Sequence, residues 1–175
     1  MNGRTEIVLS GVGGQGLVTI GGILGEAAVL EGRNACLSSS YGTEARGTFT
    51  KSDVIISDDE IDFIEAEEPG TVLCLAQAAY DRYSPVLGPE AVLVYDSDTV
   101  TPSGKGAARE KGYSISSLAE PGMANLAALG LVVALSGAVR EESAASVLRK
   151  KTVSSSPLRK GSEEAFRKGF AAASL

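Results

Sequence analysis

Histidine is absent from this 175-residue chain. Its absence removes the Ser-His-Asp and Cys-His nucleophilic schemes, the usual zinc sites and the commonest general base. Any chemistry therefore falls to Asp, Glu, Lys, Tyr or a bound cofactor. Cysteine is scarce: Cys36 and Cys74 are the two, far apart in sequence and each inside an apolar run. No CxxC spacing for zinc or an iron–sulfur cluster exists, and both are expected to be buried free thiols. Aromatic residues make up 5% of the chain, no Lys/Arg-dense face stands out, and the formal net charge is −6. That composition argues against a surface that neutralises nucleic-acid phosphates. Long apolar runs are missing too, the longest being residues 126–135, well short of the roughly 18 residues of a membrane span. Arg4 and Glu6 interrupt anything resembling a signal-peptide apolar region. The expectation is a cytoplasmic protein with neither a membrane nor a nucleic acid as partner.

What is present is an ordinary globular composition, 43% hydrophobic and 22% charged, consistent with one domain over residues 1–175. The run Ile7, Val8, Leu9 reads as a strand buried on both faces. From Leu17 to Leu30 the apolar residues recur at helical spacing, and Gly32 stands where a C-terminal cap belongs. A short strand is predicted over residues 35–38, followed by an apolar-poor loop, SSSYGTEARGT, over 38–48 and a third strand over 49–57. Two more strands are predicted over 71–75 and 91–95, with a helix over 76–87 between them. Residues 99–110 read as a turn-rich loop, and 113–115 as a last strand. The segment 123–136 is apolar on nearly every face and reads as a helix buried in the protein or against another subunit. Helices over 141–150 and 157–173 complete an α/β chain, with helices on both sides of a mostly parallel or mixed sheet and a Rossmann-like start.

Two groups of residues carry function. Gly11, Gly13, Gly14, Gln15 and Gly16 satisfy GxGxxG between a buried strand and a helix, where backbone amides face an anionic group. The alternative is a turn whose glycines only permit close packing. A nicotinamide or flavin dinucleotide is disfavoured, because the acid required about 20 residues on, at the end of the second strand, is replaced by Ser38, Ser39 and Ser40. The Walker pattern fails as well, since Leu17 and Val18 follow Gly16. The second group is Ser40, Tyr41, Gly42, Glu44, Arg46 and Gly47, which gathers a hydroxyl, a phenol, a carboxylate and a guanidinium around two glycines at the carboxyl edge of the sheet. Its bland reading is a loop with solvated charges.

Several segments together resemble one family: GVGGQG at 11–16, SYGTEARG at 40–47 leading into TKSDVIIS at 50–57, YDSD at 95–98, and ANLAALG at 124–130. In this order, over almost the whole chain, they are similar to the gamma subunit of 2-oxoacid:ferredoxin oxidoreductases. That group acts on pyruvate, 2-oxoglutarate, branched-chain 2-oxoacids or indolepyruvate. The resemblance implies a subunit of a complex that oxidatively decarboxylates a 2-oxoacid, passes electrons to ferredoxin and transfers the acyl group to coenzyme A.

The resemblance also implies that thiamine diphosphate, magnesium and iron–sulfur clusters belong to alpha, beta and ferredoxin-like delta partners, leaving this chain inert alone. The sequence agrees, for it has neither a GDG segment for magnesium diphosphate nor cluster cysteines. By the same resemblance the glycine turn becomes a cradle for a coenzyme A phosphate or a partner loop. Tyr41, Glu44 and Arg46 line a subunit interface, Arg46 being best suited to an anion, and Asn125 caps or orients the buried helix. Thr43 and Thr48 depart from the family's usual proline and glycine. The isolated chain has a self-association option, because its apolar helix needs covering. The competing reading is a stand-alone nucleotide-binding oxidoreductase or regulatory module.

Overall fold

Ile7, Val8 and Leu9 are buried in β1 (Thr5–Val12), which lies inside a six-stranded sheet of order β2-β3-β1-β4-β5-β6. The computed structural model describes residues 3–41, 48–153 and 161–174. The other strands are β2 (Asn34–Tyr41), β3 (Phe49–Ser57), β4 (Thr71–Cys74), β5 (Val92–Asp96) and β6 (Arg109–Tyr113). β1, β4, β5 and β6 pair in parallel, whereas β3 is antiparallel to both β1 and β2. The sheet is therefore mixed, and β3 alone is reversed. A strand with neighbours on both sides and helices on both faces has no solvent side, which is why β1 reads as a continuous apolar run.

Residue alternation divides the core between the two faces. Ile7 and Leu9 of β1 and Val54 and Ile56 of β3 pack against Ile20, Ile23, Leu24 and Ala27 of α1 (Leu17–Leu30). Val8, Val72, Cys74 and Leu93 face the other way, against Ala79 and Tyr80 of α2 (Gln77–Tyr83). The first face also carries α3 (Ile115–Leu118), α4 (Ala124–Ser136), α5 (Glu141–Val153) and α6 (Ser162–Ala172). None of the described helices is long and apolar enough to cross a membrane.

α4 is buried from Leu126 to Val133, and α6 closes on it through a glycine crossing. A Cβ on Gly169 would collide with the Ala127 carbonyl, and one on Gly130 would lie 2.5 Å from the Phe170 nitrogen. Bare glycine lets the two backbones touch and seats Phe166, wholly buried, in the apolar layer. The covering that the apolar 123–136 segment demanded is thus supplied largely from within the chain.

Several elements differ from expectation for identifiable reasons. α2 stops at Tyr83, not at residue 87: Ser84 still has helical backbone, but Pro85 has no N–H to continue the helical ladder. The last strand is Arg109–Tyr113, upstream of the expected 113–115, since Ile115 opens α3. Its sequence REKGY holds no apolar alternation, being an edge strand paired on one side. β2 runs on past Ser38 to Tyr41, so Ser40 and Tyr41 belong to a strand and not to the loop assigned to them; they pair with Lys51 and Thr50. Cys74 is buried, and burial pushes its thiol up to about 12. Cys36 is only half-buried, because β2 is an edge strand.

The long connector between β3 and β4 is pinned by Glu6. Its Oε2 accepts the Glu67 and Glu68 N–H groups at 2.8 and 2.9 Å, and its Oε1 accepts Arg4 Nε at 2.8 Å. Burial alone would raise this carboxyl, but the Arg4 hydrogen bond and then the two N–H groups outweigh it and hold it below its ordinary value. Glu6 therefore stabilises the fold fully above the ordinary carboxylate range, and the contribution is lost as pH falls through the lowered value. In urea titrations, the stability difference between the natural chain and Glu6→Gln is expected to be constant near neutrality and to shrink toward zero in acid. Gly169→Ala is expected to lower stability by about 1–3 kcal/mol by forcing α4 and α6 apart, a loss measurable by thermal unfolding.

Candidate functional site

β1 ends at Val12, and the chain reverses through Gly13, Gly14, Gln15 and Gly16 into α1. Gly14 and Gly16 have φ of 92° and 74°, left-handed values that side chains rarely adopt. The turn is locked by a side chain. The Gln15 Oε1 accepts the Val12 N–H at 2.8 Å, and its Nε2 donates to the Leu75 carbonyl at 2.9 Å. Gln15 thus joins the end of β1 to the end of β4, and its carboxamide lies against Gly11, where a Cβ would strike it. Gly13 donates to the Thr48 carbonyl at 3.2 Å, tying the turn to the residue that leads into β3.

One flank of the turn opens on a cavity of about 250 Å³ lined by Gly14, Gln15, Gly16, Leu75, Asp96, Ser116, Gly122, Ala124 and Asn125. Parallel strands β1, β4 and β5 all end here, the position where open α/β sheets bind ligands. Asp96, at the end of β5, is buried and fully engaged. Its Oδ1 accepts the Ile115 and Asp98 N–H groups at 3.0 and 3.1 Å, and its Oδ2 accepts Ser116 Oγ at 2.6 Å. These hydrogen bonds hold the carboxylate in the cavity wall without removing its negative charge. The other flank of the turn has a second cavity of about 270 Å³, bounded by the turn, Leu17, Val18 and residues Thr50, Lys51 and Ser52 of β3.

The helix starts give the first cavity its electrostatic character. Gly16 precedes α1 and Met123 precedes α4; neither supplies a side-chain cap, and neither helix has an acid in its first turn. By contrast, α5 opens with Glu141 and Glu142, and α6 with Glu163 and Glu164. Two helices of 14 and 13 residues thus bring uncapped N–H groups to one cavity, an arrangement suited to a negatively charged group.

Gly14, Gln15, Gly16 and Asn125 come together at this cavity; Gly13 lines the second cavity on the other flank, and Gly11, inside β1, lies beneath the Gln15 carboxamide and lines neither of the two. Asn125 does not cap α4; it sits in the first turn with its carboxamide against Gly16, close enough that a Cβ on Gly16 would strike it. Ser40 and the Tyr41 backbone reach the same edge of the sheet at the end of β2, but β3 separates them from β1. Gly42, Glu44, Arg46 and Gly47 lie outside the described residues. Asp96 and Ser116 escaped the sequence reading as site residues. The available signal was Asp96 itself, an acid ending the apolar run VLVY.

The topology also bears on a dinucleotide. In dinucleotide folds the ribose-binding acid ends the second parallel strand, next to the first. Here the strand beside β1 on that side is the reversed β3, which starts at this edge with Phe49, Thr50 and Lys51. No acid occupies the required place among these residues, and the nucleotide-binding alternative loses its geometric basis.

Comparison with known proteins identifies the family. The family described as pyruvate ferredoxin/flavodoxin oxidoreductase matches residues 6–172. The chain is 38% identical to the 2-oxoglutarate synthase subunit KorC of Methanocaldococcus jannaschii, over 95% of this chain and 92% of that protein. It is 37% identical to the subunit of the same name from Archaeoglobus fulgidus, over 95% and 87% respectively. Its fold matches the crystal structure of a keto/oxoacid ferredoxin oxidoreductase gamma subunit from Geobacter sulfurreducens with a TM-score of 0.82 at 36% identity, covering 98% of this chain and 97% of that one. It also matches, with a TM-score of 0.87 and 20% identity, 32% of a longer chain from Magnetococcus marinus, a 2-oxoglutarate:ferredoxin oxidoreductase with 2-oxoglutarate, coenzyme A and succinyl-CoA bound; 99% of this chain is covered. The chain belongs to the pyruvate ferredoxin/flavodoxin oxidoreductase family, and its resemblances within it are to gamma subunits.

Proposed function

We propose that this chain is the gamma-type subunit of a complex that converts a 2-oxoacid and coenzyme A to an acyl-CoA and carbon dioxide, with the electrons passed to ferredoxin. Its own share is to hold an anionic part of coenzyme A and to dock the companion subunits. The observation that carries this reading is the cavity at the glycine turn, where the uncapped, acid-free starts of two long helices converge.

At about 250 Å³ the cavity falls below the roughly 300–1,000 Å³ of pockets that enclose a whole drug-sized ligand. It suits a phosphate end, with the remainder of the molecule on companion subunits. Gly14 and Gly16 let the backbone approach that group, Gln15 holds the turn in shape, and Asn125 offers a neutral amide beside it. Glu44 and Arg46 follow the β2 residues Ser40 and Tyr41 in sequence and complete the interface side of the site in this reading, the planar guanidinium of Arg46 matching a phosphate or carboxylate.

Thiamine diphosphate, magnesium and iron–sulfur clusters are assigned to alpha, beta and ferredoxin-like delta subunits. Thiamine diphosphate supplies the decarboxylation chemistry when bound there, and this chain positions the acyl acceptor. The two relatives aligned over 95% of this chain are 2-oxoglutarate synthase subunits, so 2-oxoglutarate is the first oxoacid to assay.

Asn125→Asp tests the anion site in the assembled complex. A carboxylate at a helix start stabilises the helix by about 0.3–1 kcal/mol while repelling an incoming anion. The expected result is unchanged or raised thermal stability, intact assembly and a KM for coenzyme A raised about tenfold, with the KM for the oxoacid unchanged. Arg46→Ala is expected to raise the same constant. Unchanged coenzyme A kinetics in both variants defeats the reading.

A further inference from the structure

The second flank of the glycine turn is built differently from the first. Its cavity of about 270 Å³ shares Gly14, Gln15 and Gly16 with the other and adds Gly13, Val18 and Thr50. The first cavity holds the Asp96 carboxylate in its wall, whereas no acid stands among the described residues that line the second. Lys51, also in the second wall, gives its ammonium to Asp53 at 2.7 Å on the opposite face of β3, so that this pair brings no net charge.

Thr50 lies on the α1 face of β3, in alternation with Val54 and Ile56, and is 7% exposed. Its hydroxyl makes no hydrogen bond among the described residues. Ser52, the next residue on that face, is by contrast paired with Ser39 at 2.9 Å. A buried hydroxyl without a partner is destabilising, and a strand has no need of it, because valine offers the same β-branched shape. The adjoining backbone donors are unspent as well. Leu17 and Val18 open α1, whose ladder begins with the Ile20 N–H on the Gly16 carbonyl at 3.2 Å. Gly14 leaves the floor bare, with nothing within 4 Å of where its Cβ would stand. A buried hydroxyl, helix-start N–H groups and the absence of a carboxylate meet around one small space.

We infer that this second flank binds a phosphate monoester, the 3′-phosphate of coenzyme A, with the Thr50 hydroxyl donating to it. The assignment rests on the coenzyme A reading proposed above and divides the phosphate end of that molecule between the two flanks. A phosphate monoester carries about −1.5 to −2 charges at neutral pH. Each phosphate of the diphosphate is esterified on both sides and carries less. The more highly charged group therefore belongs where the wall has no carboxylate, and the diphosphate belongs on the flank that contains Asp96. Thr50 becomes a specificity-determining residue, separating coenzyme A from an analogue without the 3′-phosphate.

Steady-state kinetics of the assembled complex with coenzyme A and with 3′-dephospho-coenzyme A test the inference. The natural complex is expected to show a KM about tenfold or more higher for the dephospho form, the scale of a lost hydrogen bond to a charged group. Thr50→Val is expected to raise the KM for coenzyme A about tenfold, with kcat and the KM for the dephospho form unchanged. Thr50→Ser keeps the donor and is expected to stay within about twofold of the natural complex. Thermal unfolding without ligand should find Thr50→Val no less stable than the natural chain, because no partner is lost. Equal KM values for the two coenzymes in the natural complex overturn the inference. So does a Thr50→Val effect shared by both coenzymes, which marks a change in the shape of the turn, or a Thr50→Val complex indistinguishable from the natural one. If Asn125→Asp and Arg46→Ala raise the KM for coenzyme A while Thr50→Val does nothing, the second flank alone is misassigned; if all three leave it unchanged, the coenzyme A reading falls with it.

Discussion

The carboxamide of Gln15 spans the ends of β1 and β4, and the rest of the site depends on that bridge. At the carboxyl edge of a parallel pair, strands end in backbone groups that have no further ladder partner. Gln15 answers one from each strand, the Val12 N–H and the Leu75 carbonyl. By doing so it fixes where the turn leaves the sheet and hence where α1 begins. A different α1 position would move Gly16 away from Asn125 and open the floor of the cavity. The glycines allow the turn's shape, but the glutamine selects it. This also revises the simplest reading of the GxGGQG segment, in which all its members serve a ligand. Gln15 is committed largely to the backbone, leaving the open faces of Gly13 and Gly14 to approach one.

Much of the architecture was legible because the deciding signal was local. The turn glycines, the helical spacing of α1 and the apolar β3 and β4 all follow from neighbours in sequence, and the predicted spans of α1 and β3 coincide with those found. What was not legible depended on partners distant in sequence or on the absence of burial. The edge strands β2 and β6 look polar because one side of each faces solvent, so the alternation that reveals inner strands fades at Ser38–Tyr41 and throughout REKGY. The reversal of β3 was hidden for another reason. A buried strand reads the same in either direction, and only pairing with both β1 and β2 discloses its sense.

The same distinction explains the site. Gly14, Gln15, Gly16 and Asn125 were identifiable because a motif and a family resemblance marked them. Asp96 and Ser116 were not, since their contribution lies in a contact that the fold creates: β5 ends beside α3, and the carboxylate closes the gap. Glycine readings need equal care. Gly130 and Gly169 hold no ligand; they let two helices touch, and sequence alone offers no way to separate such glycines from those of a binding turn.

The choice of residues at the helix starts bears on whether this arrangement is incidental. Replacing a good N-cap by a poor one costs about 0.5–2 kcal/mol, a sizeable share of a typical domain's net stability of about 5–15 kcal/mol. At the starts of α5 and α6 the chain places acids: Glu141 and Glu163 lie in first turns and also hold Arg167, at 2.8 and 2.9 Å, although α6, like α2 and α3, has no side-chain cap. At the cavity it does not. A carboxylate there would satisfy the same N–H groups, but it would occupy the space and carry the charge that a ligand must bring. What sets α1 and α4 apart from the equally uncapped α2 and α3 is length and convergence: two long helices open on one cavity, where a single bound anion can answer N–H groups of both.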